Sequence, residues 1–190
     1  MSKQINLEHK NNSQNICLSC GLCCDGSLIG FVQLEPEEIP VLREILELEE
    51  EDGKGFFLQP CSKFCDACTI YSQRPKSCDN FNCGLLKSVE QKELAFDAAL
   101  EIIEEVKEKK LVIEKKLAIL PFQLQSKSFY FKMVELKKKL VKKPTIATKN
   151  KAENTLSQTQ LALITDLKQL DSLLLERFGV TLDWNKVLLV

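Results

Sequence analysis

Apolar residues recur along this chain at two different periods, and the change from one to the other divides it. In residues 27–34, SLIGFVQL, alternation at Leu28, Phe31 or Val32, and Leu34 predicts a short strand. Pro36 and Pro40 suit the start of a helix, because proline in a first turn forfeits no helical hydrogen bond. Ile39, Leu42, Ile45 and Leu46 would form its apolar face, and Asp52-Gly53 is expected to stop it. FFLQP at 56–60 reads as a second short strand. From 61 to 83 neither period holds: Ser, Lys, Asp, Pro and Asn dominate, which predicts loops organised by something other than a hydrophobic core.

Helical spacing takes over after that. Ser88 with Gln91 matches a capping box, in which the hydroxyl accepts from the third amide and the glutamine reaches back to the first residue. A long helix is expected from there. Leu94, Ala98, Ile102 and Val106, flanked by Ala95, Ala99 and Ile103, form its stripe, and Pro121 is its latest end. A second helix from about 124 carries Phe129, Met133, Leu136 and Leu140, so the pair suggests an antiparallel hairpin. Residues 142–158, KKPTIATKNKAENTLSQ, read as a flexible connection. Ser157 with Gln160 makes another capping box, and Leu163, Leu167, Leu170, Leu174 and Phe178 follow on one face, ending at Gly179, a residue suited to the left-handed cap. The expected class is mainly α with a small irregular α+β metal-binding portion. Its divisions are a cysteine-cluster domain at 16–87, a helical hairpin at 88–143, a linker at 144–158 and a terminal helix and tail at 159–190.

Cysteine placement changes this picture most. All nine cysteines of the 190 residues fall between Cys17 and Cys83, so the chemistry and the long helices occupy different parts of the chain. The leading MSKQINLEHKNNSQN is polar, with no apolar signal region, and no run approaches the roughly 18 apolar residues of a membrane span. A cytoplasmic location is therefore expected, and in that reducing compartment clustered cysteines are metal ligands or redox groups more often than disulfides.

The first group is Cys17-x2-Cys20-x2-Cys23-Cys24. Two residues between cysteines let both sulfurs converge on one ion about 2.3 Å away. Gly21 and Gly26 can take backbone angles that other residues resist, which permits a tight wrap. Cys23 and Cys24 leave adjacent backbone positions in different directions, so they are expected to serve different metals, or only one of them to ligate. The second group is Cys61-x3-Cys65-x2-Cys68-x9-Cys78-x4-Cys83. Eight ligands could complete two four-thiolate sites with one thiol left over, whereas bridging thiolates or an iron-sulfur cluster would use a different number. The lone histidine, His9, lies in the polar leader, so the donors are sulfur with at most a carboxylate such as Asp25, Asp66 or Asp79. Soft thiolate donors select zinc or iron-sulfur clusters over magnesium, calcium or manganese. Cys17-x2-Cys20-x2-Cys23 resembles the opening of a bacterial ferredoxin site, but the following x3-Cys-Pro is absent, and zinc is the more economical structural reading.

CLSCGLCC at 17–24 and CDACTIYSQRPKSCDNFNC at 65–83 together resemble the CxxCxxCC family, the YkgJ-type cysteine-cluster proteins, described as zinc- or iron-chelating. The likeness spans about 16–84 and includes Cys68, Ile70, Tyr71, Arg74, Pro75, Cys78, Phe81 and Cys83. It implies eight metal ligands, Cys17, Cys20, Cys23, Cys24, Cys61, Cys68, Cys78 and Cys83, with Cys65 as a spare or ninth. Arg74 could donate to thiolates or to a carboxylate and reduce the excess negative charge. Tyr71 and Phe81 read as an apolar shell that keeps water from the metal.

The function expected from these features is zinc or iron chelation in a structural or metal-handling role. The alternative is an enzyme, because some proteins resembling this family are S-adenosylmethionine-dependent lysine methylases. No glycine-rich nucleotide loop is present, and Gly53-Lys54-Gly55 is too short. Cys61-x3-Cys65-x2-Cys68 has the spacing of radical S-adenosylmethionine enzymes without the repeated strand-helix units of their barrels.

Charge adds one further feature. Residues 1–53 hold three Lys or Arg against eleven Asp or Glu, and residues 121–151 hold nine Lys against one acid, so the segments are −8 and +8 within a chain of net charge −1. They are expected to face each other in the fold or across a homo-oligomer, or to offer a basic face to an acidic protein partner. Lys132, Lys137, Lys138, Lys139, Lys142 and Lys143 read as a solvated helix end favoured by the helix dipole more than as a nucleic-acid surface.

Overall fold

A computed structural model describes residues 15–140 and 157–184. Its architecture is mainly α with a small antiparallel sheet. The predicted linker apart from Ser157 and Gln158, His9, Lys142, Lys143 and the last six residues lie outside the described part.

The chain enters through α1 (Ile16–Cys20), capped by Asn15, whose side chain accepts from the Cys17 amide. β1 (Phe31–Gln33), β2 (Glu49–Glu51) and β3 (Lys54–Leu58) form a sheet ordered β1-β3-β2, with Val32 opposite Phe57 and Glu50 opposite Gly55. The inner side chains Val32 and Phe57 pack with Leu34, Leu42 and Leu46 into a small apolar cluster. On the outer face Phe31 meets Phe56 edge-on and stacks on Phe131, 6.5 Å between centroids.

The strand expected over 27–34 is therefore confined to three residues, and the helix expected after it is only α2 (Ile39–Leu42). Beyond Leu42 the amides of Ile45 and Leu46 both return to the Leu42 carbonyl, a tightening turn that ends the helix. Asp52-Gly53 consequently stops no helix; it turns the β2-β3 hairpin, with φ of 51° and 74°. A two-residue turn with both φ positive matches the twist of the flanking strands, and Asp-Gly is a favoured pair for it.

Residues 64–80 form β4 (Phe64–Cys65), β5 (Ala67–Cys68), a single 3-10 turn at Tyr71–Gln73 and α3 (Lys76–Asn80). α4 (Gly84–Glu90) follows, with the Cys83 sulfur accepting from the Leu86 amide at its start. Ser88 lies inside α4 and caps nothing. Its carbonyl instead accepts from Glu93 and Leu94, which closes α4 before α5 (Phe96–Leu117) begins. The buried stripe of α5 is Ala99, Ile103, Val106 and Ile113, rotated from the expected one toward its flanking positions.

α6 (Phe129–Leu140) buries Phe129, Met133 and Leu136, and α7 (Gln158–Phe178) buries Leu163, Leu167, Leu170, Leu174 and Phe178, as their periods predict. Both hydrogen bonds of the Ser157–Gln160 capping box form, and Gly179 takes φ +68° just past the end. The main partner of α5 is α7, not α6. All three helices share one core with Ile16, Leu22 and Leu28 from the cysteine-bearing segment, and Trp184 closes it, fully buried.

Candidate metal centre

Backbone geometry delivers the thiols one element at a time. Cys17 and Cys20 are three residues apart on α1, hence on one face, since a helix turns once every 3.6 residues. Gly21 then caps the helix at φ +71°, and a β-carbon there would stand 2.6 Å from the Phe64 ring. Only glycine combines that conformation with that approach, so the chain reverses at once and brings Cys23 and Cys24 back. Gly26, at φ +78°, repeats the device against Ser128.

The turn is pinned from outside. Asp25 accepts from the Ser27 amide and pairs with Lys110 of α5 at 2.9 Å, and the Tyr130 amide of α6 donates to the Gly26 carbonyl. Cys61 follows β3, its amide donating to the Cys24 carbonyl at 2.8 Å; Cys68 ends β5, Cys78 lies on α3 and Cys83 caps α4.

Eight cysteines, Cys17, Cys20, Cys23, Cys24, Cys61, Cys68, Cys78 and Cys83, line a single cavity of about 600 Å³. Cys65 does not line it; it is exposed beside the β4-β5 turn, where Asp66 takes φ 57°. Among the described residues no three Cys, His, Asp or Glu side chains stand together as a finished ligand set. Sulfurs bound to one tetrahedral ion would be about 3.8 Å apart, from a metal-sulfur bond of about 2.3 Å. The thiols thus surround the space without converging on one point.

Neighbour relations sort the eight thiols. Charge on Cys83 disfavours charge on Cys17, Cys20 and Cys23, charge on Cys17 does the same to Cys20 and Cys23, and charge on Cys20 to Cys23. Cys61, Cys68 and Cys78 form a second neighbourhood, and Cys24 joins it through Cys68 and Cys61. The two touch where Cys23 meets Cys24 and Cys78.

Burial is the main influence on most of these groups. It raises Cys17, Cys23 and Cys61, and pushes Cys20 and Cys78 up to about 12. Cys24 and Cys68 behave as a pair: a hydrogen bond from Cys24 holds Cys68 down to about 6 and raises Cys24 well above the usual thiol range. Metal binding must displace the protons of the neutral thiols, so burial that disfavours bare thiolates leaves them dependent on a cation.

Arg74 supplies fixed positive charge on the cavity wall. Its guanidinium lies 3.8 Å over the Tyr71 ring, donates to the Tyr71 carbonyl at 2.7 Å and pairs with Asp79. From there it favours the charged forms of Cys17, Cys68 and Cys78, members of both neighbourhoods. The Tyr71 hydroxyl exchanges hydrogen bonds with Asn15, so the cap of α1 is tied to the segment bearing the later cysteines. Tyr71 and Phe81 both line the cavity, as does Gln59, whose buried Oε1 has no hydrogen-bond partner among the described residues. Of the three candidate carboxylates only Asp79 lines the cavity, and Asp25 is engaged by Lys110.

Sequence reasoning overlooked Asn15, Gln59 and Lys110. Asn15 carried a legible signal, an asparagine one residue before a helical turn, which is a favoured cap. Gln59 and Lys110 carried none, because their roles depend on which distant element they meet. Comparison with known protein families, with characterised proteins and with solved structures finds no match.

Proposed function

We propose that this chain chelates zinc or iron, the iron as an ion or within an iron-sulfur cluster, through Cys17, Cys20, Cys23, Cys24, Cys61, Cys68, Cys78 and Cys83. The observation carrying this reading is that eight thiols from six separate chain segments line one cavity while the ninth is turned out to solvent. The donor set fits such a metal: soft sulfur throughout, with Arg74 offsetting part of the thiolate charge. The cation would hold together short elements whose apolar contacts are few, in a structural or metal-handling role. No helix among the described residues is long and apolar enough to cross a membrane, and the reading assigns the protein to the cytoplasm, where thiols stay reduced.

Metal quantification with a visible spectrum, on protein purified without oxygen, tests this. The expected result is bound zinc or iron, colourless for zinc and brown for an iron-sulfur cluster. Folded protein that holds neither metal and is unchanged by a strong chelator would sink the reading.

A further inference from the structure

Cys23 and Cys24 are joined by one peptide bond, yet they belong to different surroundings. Cys23, with Cys17, Cys20 and Cys83, packs against the main helical core, whereas Cys61 and Cys78 pack against the separate apolar cluster under the sheet. Neither cluster contacts both sets. Cys24 is tied to the second set by the backbone hydrogen bond from Cys61 at 2.8 Å, and Cys68 is its thiol partner. Apolar packing thus divides six of the sulfurs. Cys24 and Cys68, which pack against neither cluster, join the second set through each other and through Cys61, with Cys23 at the boundary beside Cys24 and Cys78.

Resting on the chelation reading, we propose that the cavity holds two metal centres, one on Cys17, Cys20, Cys23 and Cys83 and one on Cys24, Cys61, Cys68 and Cys78. Each has four sulfurs, the number that completes a closed zinc site or an all-cysteine iron-sulfur site. The first is built on the ends of α1 and α4, which are fixed to the long helices. The second is built on β5, α3 and the segment after β3. Arg74 lines the same cavity and acts on Cys17 of one and on Cys68 and Cys78 of the other.

Metal counting on anaerobically prepared single variants tests the division. Cys20→Ser and Cys83→Ser should each lose about half of the wild-type metal, Cys61→Ser and Cys78→Ser the other half, and Cys20→Ser with Cys61→Ser nearly all of it. Cys65→Ser should lose none. Because a variant stripped of one centre can unfold, cadmium NMR of the cadmium-loaded wild-type protein gives an independent reading. Two four-sulfur resonances are expected; one resonance, or coupling through shared sulfurs, would overturn the division. Complete metal loss in every single variant would also overturn it while leaving chelation intact. A wild-type protein that takes up neither its own metal nor cadmium would instead fail both readings.

Discussion

Arg74 acts on thiols of both groups from one fixed position, stacked on Tyr71 and paired with Asp79. Outer groups of this kind tune ligand charge, and their loss typically weakens metal binding about 10–100-fold. Arg74→Ala is expected to lower affinity by that order in competition with a chromogenic chelator, and Arg74→Lys to recover little, since lysine lacks the planar fork and the stacking face. Gly21→Ala is expected to destabilise the protein by at least about 1–2 kcal/mol, the cost of a left-handed residue with a β-carbon, and to reduce metal retention. Denaturant titration and metal counting on the same sample check both effects. Arg74 and Gly21 were legible as residues because their chemistry is local. The tie between Asn15 and Tyr71 was not, because 56 positions separate them.

At the scale of elements, the long helices were the readable part. α7 has its cap, its stripe and its terminal glycine where the sequence puts them, since all three signals arise within a few residues. Ser157→Ala should cost about 1 kcal/mol, the usual worth of a capping side chain. Leu174→Ala should cost about 2–5 kcal/mol as a buried truncation. Fluorescence of Trp184, the one tryptophan and fully buried, follows both in urea. Glu135 gives a pH-dependent case, because its carboxylate accepts from the Ser126 and Gln125 amides and is held below its ordinary value. A lowered native value stabilises above the unfolded value of about 4.3 and is lost as pH falls through the native one. Glu135→Gln should therefore be less stable than wild type at neutral pH and converge with it in acid, measured by thermal unfolding across pH. The Ser88 capping box failed for the converse reason: an isolated pattern says that a cap could form, not that the backbone reaches it unfolded. Cys83, five residues earlier, starts the helix instead.

For the whole molecule, the unequal cores set what metal removal should do. The helical core is large, while the sheet side rests on five buried apolar residues. Chelation under reducing conditions should raise amide exchange across 61–83 well before α5 and α7, read by mass spectrometry; uniform loss of protection would show that the metal supports the whole fold. The acidic and basic segments do approach each other, since a second cavity of about 430 Å³ lies between Glu47–Glu49 and 125–128. Ion pairs from the two segments also run elsewhere: Asp25 goes to Lys110, and Lys139 to Glu135 on its own helix.

The amino-acid sequence by itself determined where the cysteines cluster, that histidine is absent from among them, and the faces of α6 and α7. Spacing and period are local properties, and short stretches of chain express them without outside help. A spare Cys65 and differing directions for Cys23 and Cys24 were already expectations of the sequence; only the tertiary structure decided which sulfurs of the first group meet which of the second. Those outcomes depend on α5 and α6 holding the first turn through Lys110 and Tyr130 and on the sheet carrying Cys61 to Cys24. Contacts between residues far apart in the chain form only when the whole core closes, and no local pattern contains them.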